Sequence, residues 1–378
     1  IEDNDEAFYI INIDALYERF LLWKKELPDI EPFYAVKCNS DELLIRSLVK
    51  LGVGFDCASK EEIDIALKAG AAPDQIIYAN PCKHRSFLQH ANKTGVQMMT
   101  FDQKEELDKI SKSHDKPQLL IRIGASDPTA QCQLTRKFGV DPVKKAPELL
   151  KIAAEMGLNV SGVSFHVGSG SNDPTAYHVA LQHTRDLFDY GTRLGHKMSI
   201  VDVGGGFTGG DHKIPFEKVA EMIRSSVAEL FPEPGIRVIG EPGRFFASRP
   251  VSLTVHVTTT TEVTAAFVTG NDDDKENKGY MYYVNDGLFG SFNCILYDHY
   301  HPVGKPLEDK EDALYPSTIW GPTCDSADKI EDQKMMRKLS VGDWIFYPEM
   351  GAYTTSSAST FNGFQKPTPI HVMSDRIW

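Results

Sequence analysis

No uninterrupted apolar run in the sequence approaches the length needed to cross a bilayer, so a membrane-spanning protein is not expected. Positive charge is in deficit. There are 40 Lys and Arg against 53 Asp and Glu, a formal charge of −13, and no basic block offsets it. That balance argues against nucleic acid or an acidic membrane surface as a partner. It weakly favours the approach of cationic small molecules, within the reach of salt screening. Cysteine is scarce and scattered: Cys38, Cys57, Cys82, Cys132, Cys294 and Cys324 show no C-x-x-C spacing. Neither a disulfide scaffold nor a metal site follows from that spacing, and a reducing, cytoplasmic setting suits it. Residues 1–7 are acidic and lack the basic start and apolar core of a secretion signal. Internal repeats and low-complexity stretches are also missing.

What is present is ordinary globular composition, 41% hydrophobic and 25% charged over 378 residues, with room for two domains. Short apolar runs at 33–36, 53–57, 76–78, 97–100, 119–123, 160–166, 198–203 and 237–240 read as strands. Amphipathic segments at 41–50, 60–68, 85–93, 104–111, 147–156, 174–194 and 215–230 read as the helices between them. Eightfold alternation of this kind predicts an α/β fold, a (β/α)8 TIM-like barrel, although a doubly wound open sheet also alternates. Beyond Arg249 the helical spacing fades. Runs at 251–261, 280–285, 317–320, 344–347 and 370–373 are rich in β-branched and aromatic residues. The expected organisation is a barrel over 12–249 and a mostly antiparallel β-domain over 250–378, joined by an N-terminal strand within 1–11. The polar stretch 270–279 is expected to be a mobile hairpin loop.

The residues that follow the proposed strands decide between barrel and open sheet. They are Lys37, Asp56, Asn80, Asp102, Arg122, His166, the run 204–206 and Glu241 with Arg244. Polar, titratable or glycine residues at nearly every strand end place chemistry on the active face of a barrel. Lys37 ends the apolar run Phe33-Tyr34-Ala35-Val36, where desolvation is expected to free its amine as a nucleophile. An ordinary lysine capping an edge strand is the alternative. Gly204-Gly205-Gly206 and Glu241-Pro242-Gly243-Arg244 close successive strands, so backbone N–H groups and an arginine could cup a phosphate there. A phosphate cup, a reactive amine and an acid for a ring nitrogen together describe a site for pyridoxal 5'-phosphate (PLP). Glu241 would pair with the ring nitrogen and His166 could stack on the ring.

Several stretches then match a known pattern in order along the chain. Tyr34 to Asn39 (YAVKCN), Phe55 to Ser59 (FDCAS), Ser164 to Gly170 (SFHVGSG) and Asp202 to Phe207 (DVGGGF) lie in the first part. Glu241 to Arg244 (EPGR), Tyr297 to His299 (YDH), Trp320 to Asp325 (WGPTCD) and Gly351 to Thr354 (GAYT) complete the set. Nearly end to end, the chain resembles the eukaryotic ornithine decarboxylase family. The resemblance implies Lys37 as the Schiff-base lysine, Glu241 as the ring-nitrogen partner and His166 as the stacking residue. It implies that Ser169, Gly206, Arg244 and Tyr353 hold the phosphate, with Gly205 and Gly243 also binding the cofactor and Asp56, Glu62 and Arg122 around it. It also implies a homodimer in which Cys324 and Asp325 reach the partner subunit's site, beside Tyr297 and Asp298. Cys324 would assist reprotonation after carbon dioxide leaves.

The substrate implied is L-ornithine and the product putrescine, the first step of polyamine synthesis. Asp298 and Asp325 suit a distal ammonium and would repel a distal carboxylate. A relative acting on lysine or arginine is the nearest rival. A paralogue that binds a regulatory protein without catalysis is another, and an antizyme-like regulatory partner is a further expectation. The segment 125–140, with Lys137 and Gly139, resembles the family's mobile loop. Ser326-Ala327 and Phe245-Phe246 depart from the usual Gly-Leu and tyrosines of that family.

Overall fold

The computed structural model describes residues 5–125, 137–210, 214–308, 310 and 312–375. Strand β1 (Phe8–Asn12) runs directly into helix α1 (Ile13–Glu26). Alternation follows: β2 (Ile30–Ala35), α2 (Glu42–Lys50), β3 (Gly54–Cys57), α3 (Lys60–Ala69), β4 (Ile76–Tyr78), α4 (Arg85–Thr94), β5 (Met98–Phe101) and α5 (Lys104–Ser111). Then come β6 (Gln118–Gly124), α6 (Lys145–Glu155), β7 (Val160–His166), α7 (Thr175–Arg193), β8 (Ile200–Asp202), α8 (Phe216–Leu230) and β9 (Arg237–Gly240). Strands β2 to β9 are parallel and close on themselves, β9 pairing with β2 through Ile30↔Val238. Closure removes both sheet edges and establishes the barrel over the open sheet. Phe33, Ile77, Ala79, Met98, Leu120, Ile200 and Ile239 form one of its buried apolar clusters.

Local chemistry accounts for the element ends. Asp41 accepts the Leu44 N–H at 2.9 Å to start α2, and Ser59 accepts the Glu62 N–H at 3.2 Å to start α3. Gly162 packs its backbone against β8 so closely that a Cβ would lie 2.1 Å from the Ile200 carbonyl oxygen. Phe245 and Phe246 are fully buried in an aromatic cluster with Trp23, Phe207 and Phe216, where a tyrosine hydroxyl would need a partner.

The chain divides into two compact units, one from Tyr17 to Phe246 and one combining the chain through Leu16 with Ala247 onward. The second unit follows the short helix α9 (Arg244–Ala247) with β10 (Val251–Thr264), α10 (Ala265–Thr269), β11 (Lys278–Val284) and α11 (Cys294–Tyr297). It ends with β12 (Lys305–Pro306), β13 (Leu314–Trp320), β14 (Lys329–Arg337), β15 (Trp344–Tyr347) and β16 (Thr368–Val372). The sheet order is β12-β15-β10-β11-β13-β14, with β1 pairing β10 and β16. Among the described residues of this unit, only the β1–β16 and β11–β13 pairs are parallel. Tyr9, Leu253, Val255, Tyr282, Ile345 and Tyr347 lie in its core.

Two features differ from the sequence expectation. Strand β14 carries charged and polar side chains along an edge with little β-branched content, a composition that protects an edge and hides it from pattern reading. The 270–279 stretch is part of a hairpin connection, yet it follows helix α10 directly, holds a 3₁₀ turn at Asp272–Asp274 and enters β11 at Lys278. Its polar groups pair locally: Thr269 donates to Asp274 at 2.9 Å and Lys275 meets Asp272 at 2.9 Å. No helix among the described residues is long and apolar enough to cross a membrane.

Candidate active site

In the barrel unit, the C-terminal strand ends gather one charged cluster. Lys37 lies in a 3₁₀ turn just past β2 and donates to Asp56 at the end of β3. Its side chain is 43% exposed, so the desolvation expected from the apolar run is not what acts on it. The strand ends two residues earlier, and the turn swings the amine out of the barrel wall to meet a buried carboxylate. Glu241, following β9, is buried, and its Oε1 has no hydrogen-bond partner among the described residues. Burial first, then the neighbouring Asp202 and Asp56 carboxylates, push its carboxyl well above the usual range. Asp202, which ends β8, is itself pushed up to about 6 by burial, while its Oδ1 accepts the Gly204 N–H at 2.9 Å. Sequence reading passed over Asp202, because nothing in the DVGGGF run separates a loop-capping aspartate from a turn residue.

His166 ends β7, and its Nδ1 accepts the Gly168 N–H at 3.0 Å, leaving Nε2 to carry the proton of the neutral ring. Burial and the cations Arg122, Lys37 and Arg244 hold it neutral, well below the usual imidazole range. A neutral flat ring suits stacking against another ring. Arg122 on β6 is buried. Glu62 works locally in the same barrel: its Oε2 accepts the Ala58 N–H at 2.6 Å and so fastens the start of α3.

An anion cradle adjoins this cluster. Arg244 donates through Nε at 3.1 Å and Nη2 at 2.8 Å to the Ser169 hydroxyl. Gly205 and Gly206 let the backbone approach its neighbours closely: a Cβ at Gly205 would lie 2.6 Å from His166 Nε2, and one at Gly206 2.6 Å from the Tyr177 hydroxyl. Gly206 also has φ +107°, a conformation only glycine adopts without strain. Gly243 sits against Cys38. The orphaned Glu241 oxygen and the side-chain-free cradle fit a group with a protonated ring nitrogen and a phosphate, as PLP has. Of the 125–140 segment, residues 126–136 lie outside those described. Gly139 N–H donates to Asp102 at 2.9 Å, and Val140 pairs with β6 at Ile123.

The remaining candidates belong to the β unit. Tyr297 is exposed at the end of α11 and Asp298 is buried beside it. Cys324 and Asp325 are exposed and line a cavity of about 1080 Å³ with Met281, Tyr283, Trp320 and Phe364. Their loop is organised by Asp328, which accepts from Leu288 N at 2.7 Å and from Thr323 N and Oγ1 at 2.9 and 2.6 Å. Ala327 donates its N–H to Asp325 at 2.8 Å, so the departure at 326–327 keeps the turn closed. Tyr353 has φ +55°, strained for a side-chain-bearing residue.

A family model described as the pyridoxal binding domain of pyridoxal-dependent decarboxylases matches residues 13–248. The chain belongs to the pyridoxal-dependent decarboxylase family. Ornithine decarboxylase from Caenorhabditis elegans is 56% identical over 100% of this chain and 90% of that protein. Antizyme inhibitor 2 from Xenopus laevis is 44% identical, covering 99% and 82%. Among solved structures, the Paramecium bursaria Chlorella virus arginine decarboxylase superposes with a TM-score of 0.91 at 32% identity, covering 98% of this chain and 97% of that one. This pyridoxal-dependent decarboxylase therefore takes PLP as its cofactor, and its fold is that of its structural neighbours.

Proposed function

We propose that this enzyme decarboxylates L-ornithine to putrescine and carbon dioxide, the entry to polyamine synthesis, as a cytoplasmic homodimer. The observation that carries the reading is the convergence of Lys37, Glu241, His166 and the Ser169–Arg244 cradle on one end of the barrel. Full-length identity of 56% to a protein named ornithine decarboxylase directs it to ornithine. Bound PLP supplies an electron sink for the pair left on the α-carbon when the carboxylate departs.

The chain's own residues do the rest. Lys37, held by Asp56, offers the amine that anchors the cofactor's aldehyde. Glu241, whose buried carboxyl keeps a proton beside the Asp202 and Asp56 carboxylates, would pass that proton to the ring nitrogen and remain beside it as the pairing carboxylate. His166 covers the ring as a neutral imidazole, and Arg122 lies in the same cluster. Ser169, Gly205, Gly206, Gly243, Arg244 and Tyr353 hold the phosphate. Asp298, with Asp325 of the other subunit, takes the distal ammonium beside Tyr297. The bond from the α-carbon to the carboxylate breaks, carbon dioxide leaves, and the Cys324 thiol of the other subunit delivers the replacing proton.

Release of labelled carbon dioxide from carboxyl-labelled L-ornithine tests this directly. It should require PLP and vanish in Lys37→Ala. Full release without PLP, or from the Lys37→Ala protein, would contradict the roles given. The Xenopus laevis relative supports a second reading, a regulatory binding protein engaged with an antizyme-like partner. A chain that takes up no PLP and releases no carbon dioxide would favour it.

A further inference from the structure

We infer that Asn293 is a positioning residue that braces Tyr353 and the Tyr297–Asp298 turn as one piece. The inference rests on the proposed role of Tyr353 in holding the cofactor phosphate. Asn293 is almost completely buried in the β unit. Its Nδ2 donates to two main-chain carbonyls, Gly290 at 2.6 Å and Thr354 at 2.7 Å. Asn293 immediately precedes α11, the short helix that ends in Tyr297, and makes no side-chain cap to it. Just past its end, the Asp298 and Tyr300 N–H groups both close on the Cys294 carbonyl, at 3.0 and 3.1 Å. One side-chain amide thus links the short helix and turn that present Tyr297 and Asp298 to the loop bearing a candidate phosphate residue.

The far side of that link is a strained backbone. Tyr353 adopts φ +55°, which costs a non-glycine residue free energy unless its neighbours hold it. Thr354 is held at both ends: its carbonyl by Asn293 and its hydroxyl, which donates to the Met350 carbonyl at 2.7 Å. The near side is equally constrained. Asp286 accepts the N–H groups of Gly287 at 2.8 Å and Ser291 at 3.0 Å, shaping the turn that offers the Gly290 carbonyl. A Cβ at Gly290 would lie 1.9 Å from Asp286 Oδ1, so the turn admits no side chain there. Asparagine is suited to the position because only its amide half donates twice at this length.

Asn293→Asp keeps the shape and removes both donors, and Asn293→Ser keeps one hydroxyl donor. The readout is the PLP dissociation constant of the folded apoprotein, followed by absorbance, alone and combined with Tyr353→Phe. Tyr353→Phe and Asn293→Asp should each weaken PLP about tenfold, on the order of one or two lost hydrogen bonds. The double variant should be little worse than either single one, because both losses act through the same hydroxyl. Asn293→Ser should fall between parent and Asn293→Asp, and it decides the question if the Asp variant does not fold. Unchanged PLP affinity in Tyr353→Phe would remove the reading of Tyr353. A tenfold loss in Tyr353→Phe with parental affinity in the Asn293 variants, or fully multiplicative losses in the double variant, would overturn the role of Asn293.

Discussion

Removing the Arg244 side chain is the perturbation whose size the site geometry sets best. Arg244 is half-buried and turns two guanidinium donors onto Ser169, at 3.1 and 2.8 Å, at the edge of a glycine-lined cradle. A phosphate dianion in that cradle would take charge-assisted bonds from the same fork, each contributing about 1.5–3 kcal/mol. Water replaces part of this in Arg244→Ala, so the net loss is that of one such bond. The PLP dissociation constant should rise about 10- to 150-fold. In the apoprotein the variant loses the charge-assisted contact with Ser169, about 1.5–3 kcal/mol before water replaces part of it, and the melting temperature should fall by a few degrees. Arg244→Lys keeps the charge and loses the fork, and should lie between the two. The assay is titration of apoprotein with PLP, read by protein fluorescence and by absorbance of the bound cofactor. Arg244→Ala binding PLP within twofold of the parent would refute the assignment of the cradle to the phosphate.

The other predictions concern acidity and the subunit arrangement. Burial lifts Asp286 to about 6, so the folded protein keeps a proton that the unfolded chain releases above about pH 4. Stability should therefore fall as pH rises from about 4 to 6, and Asn at 286 should remove up to about 3 kcal/mol of that loss. Parallel unfolding curves for parent and Asp286→Asn across this range would count against a buried carboxyl there. Cys324→Ala should bind PLP normally but form putrescine at least about tenfold more slowly, with some protonation at the wrong carbon. A parental rate with a single product would remove Cys324 from the mechanism. Mixed Lys37→Ala and Cys324→Ala chains should regain about a quarter of parental activity if sites are shared in a C2 dimer, and none if each chain is self-sufficient.

The barrel was legible because its periodicity is strong and its chemistry falls at the strand ends. Lys37, Asp56, His166, Glu241 and Arg244 stand out by type and position, and the structure brings them together in one unit. The sequence was less informative where side chains work on distant backbone. Asn293 acts on Thr354 across 61 positions, and Asp328 acts on Leu288 across 40. No local pattern marks such pairs. Lys37 shows a different limit. Its apolar neighbours suggested burial, yet two further residues of 3₁₀ turn were enough to expose the amine and give it Asp56. Strand β14 escaped notice because an edge strand protects itself with the same charges that make it read as loop.

The most direct measurement is product analysis after incubating the PLP-loaded protein with equal L-ornithine, L-lysine and L-arginine. Putrescine as the dominant product is the predicted result, and it would tie Asp298 and Asp325 to a short distal ammonium. Cadaverine or agmatine in its place would leave the barrel chemistry intact and contradict the substrate assigned.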